Sequence, residues 1–149
     1  MCSIPIQPAT QEDYPAIRAL LQSTQLPAED VTRESRHAFL VGREAGEIIG
    51  TIGPEQYPPY GLLRSLAVRA DARGMGYGTA LVNRLESVAT AREIETLYLL
   101  TTTAEAFFRS RGYHGMHRDH VPPSIRQTTE FATLCPGTAT CMRKELPPS

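Results

Sequence analysis

One stretch decides the fold: it reads Leu62-Leu63-Arg64-Ser65-Leu66-Ala67-Val68 and continues, after four residues, with Arg73-Gly74-Met75-Gly76-Tyr77-Gly78-Thr79-Ala80-Leu81. The first part is an apolar strand, and the second is a glycine-rich turn that leads directly into an amphipathic helix. Glycines at alternate positions leave the backbone N–H groups of the turn uncovered by side chains. Because those groups lie at the positive end of the helix dipole, the stretch predicts a binding site for a phosphate or pyrophosphate.

The composition is that of one soluble globular domain covering residues 1–149. Hydrophobic residues make up 41% of the chain and charged residues 21%, so a core can form without metal or disulfides. The net charge of −1 argues against nucleic acid or a membrane surface as partner, and no apolar run reaches the ~20 residues that span a bilayer. The three cysteines are irregularly spaced, which indicates a reducing, cytoplasmic environment.

Hydrophobic periodicity predicts the secondary structure along the chain. The predicted strands cover residues 4–6 (an edge strand), 39–43, 48–53, 62–68, 95–101 and 139–145. The predicted helices cover residues 11–23, 28–37, 77–92, 103–111 and 124–131, and residues 54–60 read as a surface loop. A run of antiparallel strands followed by a strand–helix–strand unit predicts an α/β (α+β) protein whose mixed, mostly antiparallel sheet carries helices on both faces.

Two common phosphate-binding motifs do not fit the glycine turn. A P-loop requires Gly-Lys-Ser/Thr, and the turn has no lysine. The dinucleotide fingerprint Gly-x-Gly-x-x-Gly fails because Thr79 or Leu81 stands where the third glycine is needed. The pattern that fits is Arg73-x-x-Gly76-x-Gly78, which resembles the acetyl-CoA signature Gln/Arg-x-x-Gly-x-Gly/Ala of the GCN5-related N-acetyltransferase (GNAT) superfamily.

A second segment supports the same resemblance. Thr101-x-x-Ala104-x-x-Phe107-Phe108-x-x-x-Gly112-Tyr113 resembles the superfamily's Asn-x-x-Ala-x-x-Phe-Tyr-x-x-x-Gly-Phe. Within the superfamily, residues 100–113 and 121–126 resemble the acetyltransferase domain of N-acetylglutamate synthases. Residues 129–136 are similar to short acetyltransferases found with bacterial arsenic-resistance genes, the ArsN type. The resemblance implies the GNAT fold, with a V-shaped splay beside strand 62–68, and an acetyl-CoA-dependent N-acetyltransferase.

The resemblance also implies which residues bind acetyl-CoA, with no metal cofactor. The pyrophosphate would be bound by backbone N–H groups of Arg73, Gly74, Met75, Gly76, Tyr77, Gly78 and Thr79, with a charged contact from the Arg73 side chain. The pantetheine arm would pair as an extra strand with Leu66, Ala67 and Val68, and the Leu66 N–H would polarise the thioester carbonyl. Phe107 and Phe108 would form a wall of the site. Attack by the amine would be direct, within a ternary complex.

The chain departs from its relatives at the acid–base residues. Many superfamily members carry a tyrosine that protonates the leaving thiolate, and Phe108 stands at that position, while Thr101 stands at the asparagine position. Five residues are candidate proton acceptors, and the sequence does not decide between them: Glu55, His37, His114, His117 and His120.

Two residues of the 62–68 strand are candidates for acceptor binding. Alternation along a strand predicts that Arg64 and Ser65 face opposite ways, with one of them toward the acceptor. Arg64 would bind the carboxylate of an amino-acid-like acceptor, or it pairs with a surface carboxylate of the chain itself.

The expected partner is a small-molecule amine, either an amino acid or an amino-acid-like toxin such as an arsenical or phosphinic analogue. Two alternatives stay open: a protein or peptide N-acetyltransferase, and a catalytically silent acyl-CoA-binding module. The superfamily also implies a possible homodimer. A metal or arsenic site built from His114-x-x-His117-x-x-His120, Cys135 and Cys141 is disfavoured, because this spacing suits one helix face poorly and Gly115 favours a loop.

Overall fold

The computed structural model describes residues 5–24, 39–128, 131 and 139–147. Its strands are β1 (Ile6–Pro8), β2 (Leu40–Glu44), β3 (Glu47–Tyr57), β4 (Tyr60–Val68), β5 (Thr96–Thr101), β6 (His114–Met116) and β7 (Thr140–Glu145). Its helices are α1 (Tyr14–Ser23), α2 (Tyr77–Ala91), α3 (Glu105–Ser110) and α4 (Pro123–Arg126). None of the helices in these ranges combines the length and apolarity that crossing a bilayer requires.

The strands form one seven-stranded sheet in the order β1-β2-β3-β4-β5-β7-β6. Every neighbouring pair is antiparallel except β4 and β5, which run parallel. This arrangement confirms the predicted mixed, mostly antiparallel sheet. It also confirms that β1 is an edge strand, although β1 begins at Ile6 and so lies later than the predicted residues 4–6.

Asp13 is the residue directly before helix α1, and its carboxylate accepts hydrogen bonds at this position. The Asp13 carboxylate accepts the backbone N–H of Thr10 at 2.7 Å and forms an ion pair with Arg43 of β2. Burial raises the pKa of Asp13, but the hydrogen bonds from Thr10 and Arg43 outweigh that effect and leave the pKa below its usual value. The charge of Asp13 therefore ties the start of α1 to the sheet.

Hydrophobic cores lie on both faces of the sheet, as predicted. Helices α2 and α3 cover one face, where the packed side chains include Leu63, Leu81, Leu85, Leu99, Phe108 and Met142. Helix α1 covers the other face through a cluster that includes Ile17, Leu21, Phe39 and Ala67. On that same face, α4 packs Ile125 against Leu62, Tyr98 and Cys141. We call the first the α2 face and the second the α1 face.

Strands β4 and β5 separate near the middle of the sheet. They pair only from Tyr60↔Thr96 to Leu62↔Tyr98, although β4 continues to Val68 and β5 to Thr101. Strand β4 stays paired with β3 up to Val68, so the separation lies on its β5 side alone. The gap beyond Leu62 is the V-shaped splay that the resemblance implied.

Several sequence predictions need correction. Residues 54–60 are not a surface loop, because β3 runs on to Tyr57, β4 starts at Tyr60, and Glu55 is buried between paired strands. Strand β6 was not predicted, since three residues carry too little periodicity to be recognised. Helix α4 starts one residue before the predicted helix 124–131 and ends at Arg126, so residues 127 and 128 are not helical. The predicted helix 28–37 lies outside the described residues.

Candidate active site

The glycine turn uses backbone conformations that favour glycine. Gly74 and Gly76 have φ angles of +82° and +91°, in the left-handed region where a Cβ is disfavoured. Gly76 is the residue that caps α2 at its N-terminus. A turn with these two φ angles brings the chain from the 3₁₀ turn Ala70–Ala72 straight into the helix.

The first free donors of α2 follow directly after Gly76. The first hydrogen bond of the helix runs from the Ala80 N–H to the Gly76 carbonyl at 3.0 Å. The N–H groups before that bond have no acceptor within the helix; they belong to Tyr77, Gly78 and Thr79. Because α2 is 15 residues long, its dipole adds positive potential at this end. The turn therefore has the donors and the sign of charge that an anionic phosphate group needs.

Two side chains hold the turn in place. Arg73 donates from Nε to the Val68 carbonyl at 3.3 Å, so its guanidinium stands between the end of β4 and the turn. Tyr77 is buried and donates to Glu44 at 3.3 Å. Burial and the Glu44 charge together raise the pKa of Tyr77, so this hydroxyl keeps its proton. Met75, between them, is 60% exposed and contributes to the site through its backbone alone.

Strand β4 carries a β-bulge where it borders the splay. Gly53 of β3 pairs with Arg64 and Thr51 pairs with Ala67, so β4 has one more residue than β3 over this interval. Ser65 takes up the extra residue with a φ of +60°, which is unusual for a residue with a Cβ. A bulge interrupts the strand ladder, so the backbone at Ser65 and Leu66 is where donors become available for a ligand.

A buried polar network lies beside the bulge on the α1 face. Arg64 Nη1 lies 3.2 Å from Glu55 Oε2, and the Arg64 and Glu55 side chains are 0% and 7% exposed. The Tyr57 hydroxyl donates to the other Glu55 oxygen at 2.5 Å. Arg64 also donates from Nε to the Ser65 hydroxyl at 3.1 Å. The prediction that Arg64 and Ser65 face opposite ways is therefore wrong, because the bulge breaks the alternation and brings the two side chains together.

The two phenylalanines of the second motif differ in their surroundings. Phe107 is partly exposed, and a Cβ added to Gly78 would lie 3.5 Å from its ring, so Phe107 borders the start of α2. Phe108 is 4% exposed and packs edge to face against Tyr113 with ring centroids 5.5 Å apart. Thr101, at the asparagine position, accepts the Ala104 N–H at 3.0 Å and so organises the start of α3.

The histidines and cysteines that the structure describes do not gather around a common point. His117 and His120 lie with ring centroids 5.8 Å apart, and His117 accepts the Asp119 N–H at 3.3 Å. Over the described ranges, no three His, Cys, Asp or Glu side chains are arranged to hold a metal ion. Cys141 is buried, and burial raises the pKa of its thiol to about 11. Two other candidates, His37 and Cys135, lie outside the described residues.

Sequence reasoning misplaces one residue of this region and misses another. It expects Tyr57 to flank the cleft from a surface loop, whereas Tyr57 lies in β3, where the odd-numbered positions 53, 55 and 57 share one face. Arg118, in the 3₁₀ turn Arg118–His120, was not singled out, and no local pattern marks it. Its surroundings depend on segments distant in the sequence, which only the fold brings together.

Comparisons with known proteins agree with this geometry. The model of the family described as "Acetyltransferase (GNAT) family" matches residues 5–114. An amino-acid acetyltransferase from Ralstonia nicotianae is 29% identical over 130 residues, which cover 82% of this chain and 29% of that protein. An uncharacterized N-acetyltransferase from Chlorobaculum tepidum is 29% identical over 104 residues, covering 69% of this chain and 64% of that protein. The chain thus spans less than two thirds of either relative.

Solved structures share the fold. The N-acetylglutamate synthase from Neisseria gonorrhoeae, complexed with coenzyme A and N-acetyl-glutamate, superimposes with a TM-score of 0.83 at 21% identity. The match covers 99% of this chain and 36% of that one. Tetrahymena GCN5 superimposes with a TM-score of 0.76 at 20% identity, covering 99% of this chain and 98% of that one. At these identities the likeness concerns the fold.

Proposed function

Since the chain belongs to the acetyltransferase (GNAT) family, we propose that it transfers the acetyl group of acetyl-CoA to the amine of a small molecule, an amino acid or a close analogue of one. The observation that carries this proposal is the splay. It begins beyond Leu62, where β4 stops pairing with β5. From there the chain continues through the bulge at Ser65 to the N–H groups at the start of α2. A long ligand with a phosphate group at one end and a reactive group at the other fits this arrangement.

The residues on the donor side are suited to acetyl-CoA, which supplies the acetyl group and a thiolate leaving group when bound. The N–H groups at the start of α2 would hold the pyrophosphate, with Arg73 beside them. The β4 backbone at Leu66, Ala67 and Val68 would pair with the pantetheine arm, since β5 does not occupy that edge. The Leu66 N–H, next to the bulge, would donate to the carbonyl oxygen. Phe107 would close the site at the start of α2.

The chemistry on the acceptor side needs a neutral amine. The acceptor nitrogen forms a bond to the acetyl carbon, the carbon–sulfur bond breaks, and the proton that leaves the nitrogen balances the charge of the departing thiolate. We place the acceptor on the α1 face beside the splay and call this side the acceptor face. Glu55 is the proposed proton acceptor, because its carboxylate lies on this face and is held in orientation by Tyr57 and Arg64. Phe108 has no hydroxyl, so it gives the thiolate no proton.

Two observations support an amino-acid-like acceptor. The Ralstonia relative is an amino-acid acetyltransferase. In addition, guanidinium groups stand on the acceptor face, among them Arg64 beside the bulge. The ArsN subfamily, and with it an arsenical or phosphinic amino acid as substrate, rests on residues 129–136 of the sequence alone. The irregular spacing of the three cysteines supports the proposal that the protein acts in the cytoplasm.

The test is a release assay for CoA with mass-spectrometric identification of the product. The acceptors are free amino acids, arsenical and phosphinic amino-acid analogues, and a lysine-containing peptide. An N-acetylated amino acid or analogue, formed together with free CoA, supports the proposal. Release with the peptide alone would identify a peptide acetyltransferase instead. Calorimetric binding of acetyl-CoA with no release for any amine would identify a silent acyl-CoA-binding module, which the missing Phe108 hydroxyl makes a real competitor.

A further inference from the structure

Arg118 is a half-buried cation for which the described residues supply no counterion. Its Nε and Nη2 atoms are both buried, and neither has a hydrogen-bond partner in the structure. Over residues 5–24, 39–128, 131 and 139–147, no carboxylate forms an ion pair with it. Burying an unpaired charged group is costly, and buried polar groups in proteins almost always find partners. These two atoms of Arg118 depart from that rule, which indicates a binding partner that the described residues do not supply.

The two unsatisfied nitrogens lie on the same edge of the guanidinium. The Nε–H and one Nη2–H point in the same direction, and this edge is the one that binds a carboxylate side-on through two parallel hydrogen bonds. Phe131 contributes a cation–π contact, with the Arg118 Cζ 5.9 Å from the ring centroid. That contact stabilises the face of the guanidinium but leaves the N–H groups on its edge without hydrogen-bond partners.

Arg118 is placed on the acceptor side of the sheet. Its guanidinium lies over the Phe131 ring, and Phe131 packs against the cluster on the α1 face that contains Cys141. Cys141 pairs with Leu100 of β5 and packs with Leu62 and Tyr98 on the α1 face. Leu62 is the last β4 residue paired with β5, so this cluster borders the mouth of the splay.

The other arginine of this face is already engaged. Arg64 binds Glu55 through Nη1 and Ser65 through Nε, so the chain itself supplies partners for its charge. Arg118 has no such ligands among the described residues. Arg64 lies on β4, whereas Arg118 lies in the 3₁₀ turn that follows β6.

We propose that Arg118 binds the anionic group of the acceptor, a carboxylate or the oxyanion of a phosphinic or arsenical analogue, through its Nε–Nη2 edge. This proposal rests on the proposed function, since it names the group that the acceptor carries besides its amine. Entry of the anion requires a local rearrangement, because both nitrogens are buried. Arg118 thereby selects amino acids over simple amines.

The kinetic test compares acceptors that differ only in charge. We expect wild type to favour an amino acid over its α-amide, and Arg118→Met to lower kcat/KM for the amino acid on the order of 10- to 100-fold while sparing the amide. Arg118→Lys should recover part of the loss. Arg126→Met, at an exposed position on α4, is the matched control and should change neither value. Parallel series with carboxylates and with phosphinic or arsenical analogues identify which anion is preferred.

A binding test separates failure of this proposal from failure of the proposed function. The N-acetylated amino acid, added with CoA, should raise the Tm of wild type and of Arg126→Met but not that of Arg118→Met. If wild type acetylates no amine, the proposed function fails, while selective protection still supports the anion site. Equal protection of wild type and Arg118→Met, or equal loss of activity toward both acceptors, overturns it.

Discussion

Glu55 on β3 and Arg64 on β4 form a buried ion pair across the strand border that leads to the splay, with Oε2 and Nη1 3.2 Å apart. Tyr57 reaches the other carboxylate oxygen from two residues further along β3. A buried pair of this kind is costly to desolvate and contributes little net stability. We therefore expect the pair to serve the proposed acceptor site, which its position beside the bulge supports.

Removing the charge of Glu55 should therefore cost both stability and activity. Glu55→Gln takes the anion away from a buried guanidinium, for which we expect a loss of about 3–5 kcal/mol in the free energy of unfolding. If Glu55 accepts the proton of the amine, kcat falls about 10²- to 10⁴-fold and recovers as the amine deprotonates at higher pH. Urea unfolding and a pH profile of kcat measure the two effects.

Tyr57→Phe is the control for that change. It removes the hydroxyl that binds Glu55 but keeps both charges, so we expect a loss of about 1 kcal/mol in stability and only a few-fold decrease in kcat. If Glu55→Gln retains wild-type kcat with the same pH profile, Glu55 is a structural residue and the proton leaves by another route.

Two glycines of the turn should respond differently to alanine. Gly76 has a φ of +91°, so Gly76→Ala introduces strain of about 1–2 kcal/mol and displaces the N–H groups that follow it. We expect a large increase in KM for acetyl-CoA. Gly78 lies in the helix, and its added Cβ would meet only the Phe107 ring at 3.5 Å or more. Gly78→Ala should keep the Tm and change the KM by no more than a few-fold, and steady-state kinetics decide between equal and unequal effects.

The charge on Asp13 should make stability depend on acidic pH. Its pKa is lowered because hydrogen bonds from Thr10 and Arg43 outweigh the opposing effect of burial. The unfolded chain therefore binds a proton first as pH falls, so this stabilisation is complete above the ordinary value of 3.8 and disappears as pH drops through the lower folded value. Asp13→Asn should flatten the decline in Tm below about pH 4. An unchanged slope would show that other carboxylates control acid unfolding.

Cys141 should be slow to react in the folded protein. Burial raises the pKa of its thiol to about 11, with a smaller opposing effect from Arg118. In a variant with the other cysteines replaced, Cys2→Ser and Cys135→Ser, we expect iodoacetamide labelling to be slow at pH 7–8 and to become fast on unfolding in urea. Adding Arg118→Met should slow it further. Fast labelling of the folded protein at neutral pH would contradict the burial of this thiol.

Prolines explain why the β3–β4 region was misread. Pro54, Pro58 and Pro59 break a strand pattern in the sequence, so residues 54–60 indicated a loop. In the structure β2 begins at Leu40, opposite Ile52, and β3 continues beyond that point with β4 as its described partner. A proline is acceptable there because no described strand pairs with that edge of β3, so no described ladder hydrogen bond needs its N–H. Whether β3 tolerates a proline therefore depends on where β2 begins, and the local sequence around the proline does not contain that information.

The sequence by itself determined the glycine turn, the start of α2 and the order of the described strands other than β6, because glycine conformation, helix capping and hydrophobic periodicity act between residues close in the chain. Only the tertiary structure decided what stands around the splay. The bulge that brings Arg64 and Ser65 together arises from the register of β4 against β3. The contact between Arg118 and Phe131 arises only when the chain has folded. Such contacts join residues distant in sequence, so their partners become readable only once the chain has folded.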